Sequence, residues 1–302
     1  MDEPTAEPQK YHKTRIAPTP SGFLHIGNAL SFIITATLAE RHGIPIFLRI
    51  DDLDQARVRP EYIRDIFDTL DFLEISWQEG PRNADDFLRN YSQLHRMPLY
   101  EQALLQLRDA GRLFACNCSR TRIARSGGGG YDGHCLQRDL PFDAPETCWR
   151  LNVTAGFPVT MLSPEGPVHT ALPTDQGYVV VRKKDGFPAY QLTSVIDDLH
   201  FGVDFIVRGA DLWSSTCAQL VLADAMGNEQ FGQNTFYHHA LLSDAAGTKL
   251  SKSAGATSIR HMRKEGWRKE AVFAHIGKQA GLNHPFSDWR ELGNAMLNQQ
   301  GH

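Results

Sequence analysis

Arg15-Ile-Ala-Pro-Thr-Pro-Ser-Gly-Phe-Leu-His-Ile-Gly27 is the stretch that decides the fold of this 302-residue chain. Thr14 to Ala17 reads as a short strand, stopped by Pro18 and Pro20. Gly22 and Gly27 punctuate a loop. Asn28 to Glu40 reads as a helix that is apolar on more than one side, hence buried, and Gly43 stops it. Pro45-Ile-Phe-Leu-Arg-Ile50 is a second buried strand, running into Asp51-Asp-Leu-Asp54. Strand, glycine-bearing loop, helix and strand form a βαβ unit, which predicts an α/β fold with a Rossmann-type doubly wound parallel sheet. A ligand would sit at the carboxyl ends of its strands.

Outward from this unit, Glu61–Phe72 and Ser92–Ala110 carry amphipathic helix patterns. Cys116 to Pro145 is loop-rich, with four glycines at 127–130. Trp149 to Val181 alternates in short strands, the pattern of an inserted small α+β lobe rather than more of the main sheet. Tyr190–Val207 returns to helix and strand, with Phe205-Ile-Val207 as a core strand, and the remainder is helical. The expected division is 14–112 and 189–253 as two halves of a catalytic domain, with 113–188 as the insertion between them. Residues 254–302 form a helical C-terminal segment, with no anticodon-binding domain.

Composition narrows the class. A hydrophobic fraction of 41% and a charged fraction of 22% are those of an ordinary globular protein. A net charge of -4 argues against unselective coating of nucleic acid, while leaving room for a local basic surface. The polar start, Met1 to Lys13, reads as a ragged terminus and not as a secretion signal. No apolar run is long enough to span a bilayer, so no membrane partner is expected and the cytoplasm is the default compartment. The chain is expected to act as a monomer.

Five cysteines are present, and Cys116, Cys118 and Cys135 fall within twenty residues. In a reducing compartment that clustering favours metal over disulfides, and thiolates suit tetrahedral zinc. The fourth ligand is open at this level; donor chemistry alone favours His134 or Cys148. Cys148 and Cys217 otherwise read as ordinary buried cysteines.

Two short motifs carry the chemistry. His25-Ile-Gly-Asn28 sits where a loop enters a helix, a place that favours phosphate. Gly27 would let a nucleotide approach the backbone, and His25 could donate to phosphate oxygens. A lone His-Ile-Gly is a common chance match and more often a helix cap with a buried histidine. Lys249-Leu-Ser-Lys-Ser253 supplies two lysines, three apart, that could meet negative charge as it develops on a triphosphate. Each motif is weak alone; in this order, in a βαβ chain, they reinforce one another.

Together with Arg15–Gly22, Leu48–Asp54, Ala189–Asp198 and Val207–Asp211, these motifs resemble the glutamyl/glutaminyl branch of class I aminoacyl-tRNA synthetases. His25–Asn28 corresponds to the HIGH motif and Lys249–Ser253 to KMSKS. The resemblance runs from about Thr14 to Ser253. It implies an ATP site with Mg²⁺, formed by Pro18, His25, Gly27, Asn28 and Lys252, with His25, Lys249 and Lys252 catalytic. It further implies an L-glutamate pocket lined by Arg15, Ala17, Thr19, Asp51, Tyr190 and Arg208. Residue chemistry agrees, since two carboxylates and one ammonium call for cationic forks and an acid. Asp51 stands where the branch usually has Glu, and Thr19 where it usually has Ser. Short members of this branch have a tyrosine as fourth zinc ligand, which implies Tyr131 here beside Cys116, Cys118 and Cys135, with a structural Zn²⁺.

After Ser253 only 49 residues remain, with a basic stretch at Arg260–Lys269 that suits either phosphate contact or a solvated helix face. That leaves no room for a usual anticodon domain. Resemblance to the truncated paralogues of the branch implies glutamate activation without tRNA. Transfer would then go to the queuosine base of the tRNA(Asp) anticodon. Rival expectations are a small-molecule nucleotidylyltransferase, a non-catalytic RNA-binding module held by zinc, and a charger of a tRNA 3′ end.

Overall fold

Strand β1 (Thr14–Ile16) opens the chain and helix α1 (Ile26–His42) returns it to β2 (Ile46–Leu48), which pairs with β1 in parallel. Helix α2 (Pro60–Phe72) and the short turn α3 (Ala84–Asp86) follow. A 3₁₀ turn at Gln93–Arg96 then enters α4 (Met97–Asp109). Next come β3 (Leu113–Cys116), α5 (Arg120–Arg125), β4 (Cys148–Leu151), β5 (Pro158–Ser163), β6 (Gly166–Ala171) and β7 (Val180–Arg182). The second half holds α6 (Tyr190–His200), β8 (Phe205–Gly209), α7 (Trp213–Ala225), α8 (Glu229–Gly232) and β9 (Thr235–His239). Helices α9 (Ile259–Lys264), α10 (Lys269–Gln279) and α11 (Trp289–Gln299) end it. The computed structural model describes residues 11–125, 129–242 and 258–299. Lys249–Ser253 lies outside the described residues.

The main sheet has the order β2-β1-β8-β9-β5-β6, parallel except for β6 at its edge. The parallel α/β sheet predicted from the opening stretch is therefore present. From β1 the chain moves to β2 on one side, while β8 lies on the other. The carboxyl ends of β1 and β8 thus flank the point where strand order reverses, the usual ligand position in such sheets. Successive residues of β8 divide between two cores: Phe205 and Val207 join one with α1, α2, α10 and α11, and Ile206 joins the other with α4, α6 and α7. Both faces are buried, which explains why the central strands read as continuous apolar runs.

Two differences from the sequence reading stand out. The stretch 149–181 is not one inserted lobe: β4 and β7 join β3 in a separate antiparallel sheet, whereas β5 and β6 extend the main sheet. Val159 and Met161 of β5 are buried in the main core, on the inward face of an alternating strand. Alternation identified a half-buried strand but not the sheet it would join. At the start, Tyr11 is core rather than ragged terminus, stacked on Phe205 with ring centroids 4.3 Å apart.

Helix α11 packs on α1 at Gly293, where any Cβ would collide with the Thr37 side chain. The C-terminal helices thereby brace the helix whose N-terminus carries His25. No helix among the described residues is long and apolar enough to cross a membrane.

Candidate active site

His25 is the N-cap of α1, and its placement follows from a reciprocal cap. Its Nδ1 accepts the Gly27 N–H at 3.1 Å, and Asn28 Oδ1 accepts the His25 N–H at 3.0 Å. The cap keeps Nδ1 unprotonated, so the neutral ring carries its proton on Nε2. Gly27 has a local reason to be glycine: a Cβ there would lie 3.0 Å from the His25 ring. Close approach of a nucleotide, the reason expected from sequence, is not needed to explain it. The backbone around His25 is pinned as well. Ile259 N–H donates to Leu24 O at 2.8 Å, and His25 bridges to Ser258. Ser258, paired with His25, is the first described residue after Lys249 and Lys252, which lie outside the described residues.

A buried ionic network lies at the strand ends. Arg15, on β1, sends Nε to Asp198 Oδ1 (3.2 Å) and Nη1 to the Val207 carbonyl (2.9 Å). Arg49, just past β2, grips Asp51 through both carboxylate oxygens at 2.7 and 3.1 Å and reaches Asp198 Oδ1 at 2.7 Å. Arg208, at the end of β8, is 3% exposed and donates only to neutral acceptors, Thr216 Oγ1 (3.2 Å) and Gln219 Oε1 (2.8 Å). Its Nε and Nη2, and Asp198 Oδ2, are buried and make no hydrogen bond among the described residues. Among the described residues Arg15 and Arg49 thus share the Asp51 and Asp198 carboxylates, with Asp197 adding its field to Arg49, while Arg208 contacts no carboxylate. Burial pushes Arg15 down to about 10, with Asp198 opposing and the neighbouring Arg208 and Arg49 adding to the shift. Burial raises the Asp51 carboxyl, and Arg49 reverses that only in part. His238, beside Arg208 in the β8–β9 pairing, is pushed down to about 4 by burial and by Arg208.

Thr19, Asp51 and Tyr190 line one cleft of about 300 Å³, together with Gln93, Lys183, Arg57 and Thr193. Tyr190 is the first residue of α6 and is exposed. Pro18 is buried and its carbonyl accepts the Asp51 N–H at 3.0 Å; Ala17 is half-buried. The structure therefore gathers Thr19, Asp51 and Tyr190 in the cleft, and places Arg15 and Arg208 in the network beneath it. Sequence reasoning gave no role to Arg49, Asp198, Gln93 or Lys183. Arg49 had one signal, a charge inside an apolar strand run.

Behind the cleft a second network is complete. Asp197 accepts from Arg96 Nε (2.7 Å), Gln93 Nε2 (2.9 Å) and Tyr100 hydroxyl (2.6 Å), and Asp52 accepts from Ser92 hydroxyl (2.6 Å) and the Gln93 N–H (2.8 Å).

At the small sheet, the sulfurs of Cys116, Cys118 and Cys135 lie within 4.8 Å of one another. The Tyr131 hydroxyl is 3.4 Å from Cys116 Sγ and 3.9 Å from Cys118 Sγ. Tetrahedral zinc, with Zn–S of about 2.3 Å, requires sulfurs about 3.8 Å apart, so the donor set fits. His134 is exposed, and Cys148 Sγ is turned onto the Cys116 carbonyl at 3.3 Å. Cys217 is buried in the main core.

Residues 12–285 match the family model described as tRNA synthetases class I (E and Q), catalytic domain. The chain belongs to this family. Within this synthetase family it is 35% identical over 283 residues to the Glutamyl-Q tRNA(Asp) synthetase of Synechococcus sp., covering 91% of this chain and 85% of that protein. It is 32% identical over 290 residues to Glutamate--tRNA ligase 2 of Acidithiobacillus ferrooxidans, covering 91% of this chain but 58% of that one. The chain thus spans little more than half of the latter relative. The crystal structure of glutamate-tRNA synthetase from Elizabethkingia anophelis shares the synthetase fold, with TM-score 0.73 at 22% identity over 94% of this chain and 65% of that one.

Proposed function

We propose that the chain activates L-glutamate with ATP in the absence of tRNA and then transfers glutamate to queuosine in the anticodon of tRNA(Asp). The observation that carries the first step is the charge imbalance at the strand ends. A buried guanidinium that, among the described residues, is held by neutral oxygens and has two nitrogens without a hydrogen bond invites a carboxylate. Arg208 would bind one glutamate carboxylate, with Arg15 beside it. Asp51 keeps lone pairs for the ammonium, and Tyr190 closes the cleft. A neutral amide in place of the side-chain carboxylate would leave a guanidinium unpaired, which disfavours glutamine.

ATP would lie at the N-terminus of α1. The α-carboxylate of glutamate attacks the α-phosphorus and pyrophosphate leaves. His25 donates from Nε2 to phosphate oxygens, and Lys249 and Lys252 add charge as it develops. Mg²⁺ would accompany the triphosphate. In the second step a hydroxyl of queuosine attacks the acyl carbon, and AMP leaves. Positioning supplies most of that rate. Zinc, when bound by Cys116, Cys118, Cys135 and Tyr131, would serve as a structural clamp on the small sheet.

The queuosine acceptor draws support from the similarity to proteins named Glutamyl-Q tRNA(Asp) synthetase, whose length this chain largely covers. Charging of a tRNA 3′ end is the competing reading, favoured by the likeness to proteins named Glutamate--tRNA ligase 2. Two assays test the proposal. Glutamate-dependent ATP–pyrophosphate exchange without tRNA is expected, and its absence would reject the activation step. Glutamylation is expected for tRNA(Asp) that carries queuosine. Equal labelling of tRNA lacking queuosine would move the acceptor to the 3′ end. For the clamp, about one equivalent of zinc is expected in purified protein, and clearly less in Cys118→Ser.

A further inference from the structure

Leu24, immediately before His25, has both backbone groups held from elsewhere. Its carbonyl accepts from Ile259, and its N–H donates to Asp65 Oδ2 at 2.9 Å. Asp65 lies on α2, is 2% exposed, and has one oxygen left over. That oxygen, Oδ1, makes no hydrogen bond among the described residues, and neither does the buried Nη1 of Arg263. The two face each other at 4.0 Å, beyond hydrogen-bond range but within ion-pair reach. Arg263 belongs to α9, the helix that begins one residue after the Ser258–His25 bridge. Its other terminal nitrogen lies 3.5 Å from Asp68, one turn along α2. Three segments therefore meet at one carboxylate: the loop carrying His25, helix α2, and the chain returning toward His25.

Asp65 is an unusual choice for a structural role alone. A backbone N–H can be satisfied by a neutral acceptor, and a buried carboxylate is costly unless its charge is used. One carboxylate oxygen holds the Leu24 N–H, and the other faces Arg263.

We infer that Asp65 and Arg263 are a pair of positioning residues for the nucleotide site, which set the His25 segment and the returning chain in register with one another. The inference rests on the proposed ATP site at α1. Neither residue touches the reacting atoms. Asp65 acts through the Leu24 N–H and Arg263 through α9, so their loss should loosen ATP before it alters the chemistry. The ion pair joins α2, which holds the Leu24 N–H, to α9, which begins next to the Ser258–His25 bridge.

The test measures ATP affinity by calorimetry and, separately, glutamate-dependent pyrophosphate exchange in the full chain. Asp65→Asn keeps an acceptor for Leu24 and removes the charge. Arg263→Met removes the charge from the accessible side, so a folding failure of one variant leaves the other to decide. Each is expected to weaken ATP binding and raise its KM about five- to tenfold with kcat changed less, as for a lost charge-assisted contact. The double variant should be no worse than the worse single one. Asp65→Glu should recover part of the loss. Unchanged ATP affinity and KM in both single variants, whatever their thermal midpoints, would overturn the inference. Strictly additive losses would do so too. A wild-type chain that binds ATP without exchange would count against glutamate activation while leaving the affinity comparison able to judge Asp65. A wild-type chain that binds no ATP would overturn both.

Discussion

Two aspartate doublets face each other across the strand ends, and their surroundings differ. Asp52 and Asp197 are surrounded by donors: Ser92, Gln93, Arg96 and Tyr100 saturate them. Asp51 and Asp198 share Arg49, yet among the described residues one Asp198 oxygen and two nitrogens of nearby Arg208 make no hydrogen bond. Both networks are buried, so both incur the desolvation of charge. Only the first recovers it within the protein. Completed polar networks hold a fold together; an incomplete one at a strand-order reversal is a receptor for a missing charge.

Arg208→Met is the largest expected break in that contrast. Glutamate-dependent exchange should fall by about a hundredfold or more, as when one member of a desolvated charge pair is removed. The thermal midpoint should hold or rise, because the substitution removes a buried cation that no carboxylate contacts among the described residues. A variant that loses stability and keeps activity would reverse the roles assigned to the two networks. Asp197→Ala is the opposite case. It strands Arg96 in the core and should lower unfolding free energy by about 3–5 kcal/mol in urea titration. Glutamate KM should change little in the molecules that remain folded.

How much of this was legible beforehand follows from how local each feature is. The βαβ unit, the His25 cap and the three clustered cysteines are encoded within short windows, and all three lie where the pattern put them. Arg49 to Asp198 and Arg96 to Asp197 join residues 149 and 101 positions apart, and no periodicity reports such a pairing. Ser92–Ala110 reads as one amphipathic helix, a pattern that says nothing of where Arg96 points. In fact a 3₁₀ turn re-aims it inward before α4 begins. The β5–β6 hairpin was misplaced for the same reason, since its partner β9 comes some seventy residues later.

The smallest effect comes from His238, which lies on the unbalanced side. Its Nε2 is 2.8 Å from Thr216 Oγ1, the same hydroxyl that receives Arg208. Burial and then Arg208 push its pKa down to about 4, against 6.5 for an unperturbed imidazole. The folded state therefore binds fewer protons than the unfolded one between these values, and stability rises with pH across that window. The contribution is intact above about pH 6.5 and is lost as the pH falls toward 4. At one pKa unit per 1.36 kcal/mol, the loss by pH 5 is about 2 kcal/mol at most, less whatever solvent screens. His238→Gln should flatten this part of the stability profile and leave the acid limb set by Asp197. Binding of a carboxylate at Arg208 should also shrink the slope, since it offsets part of the repulsion that keeps His238 neutral. Wild-type melting profiles with and without glutamate, from pH 7 to pH 5, separate the two networks in one measurement. A slope unaffected by glutamate would place the missing charge somewhere other than Arg208.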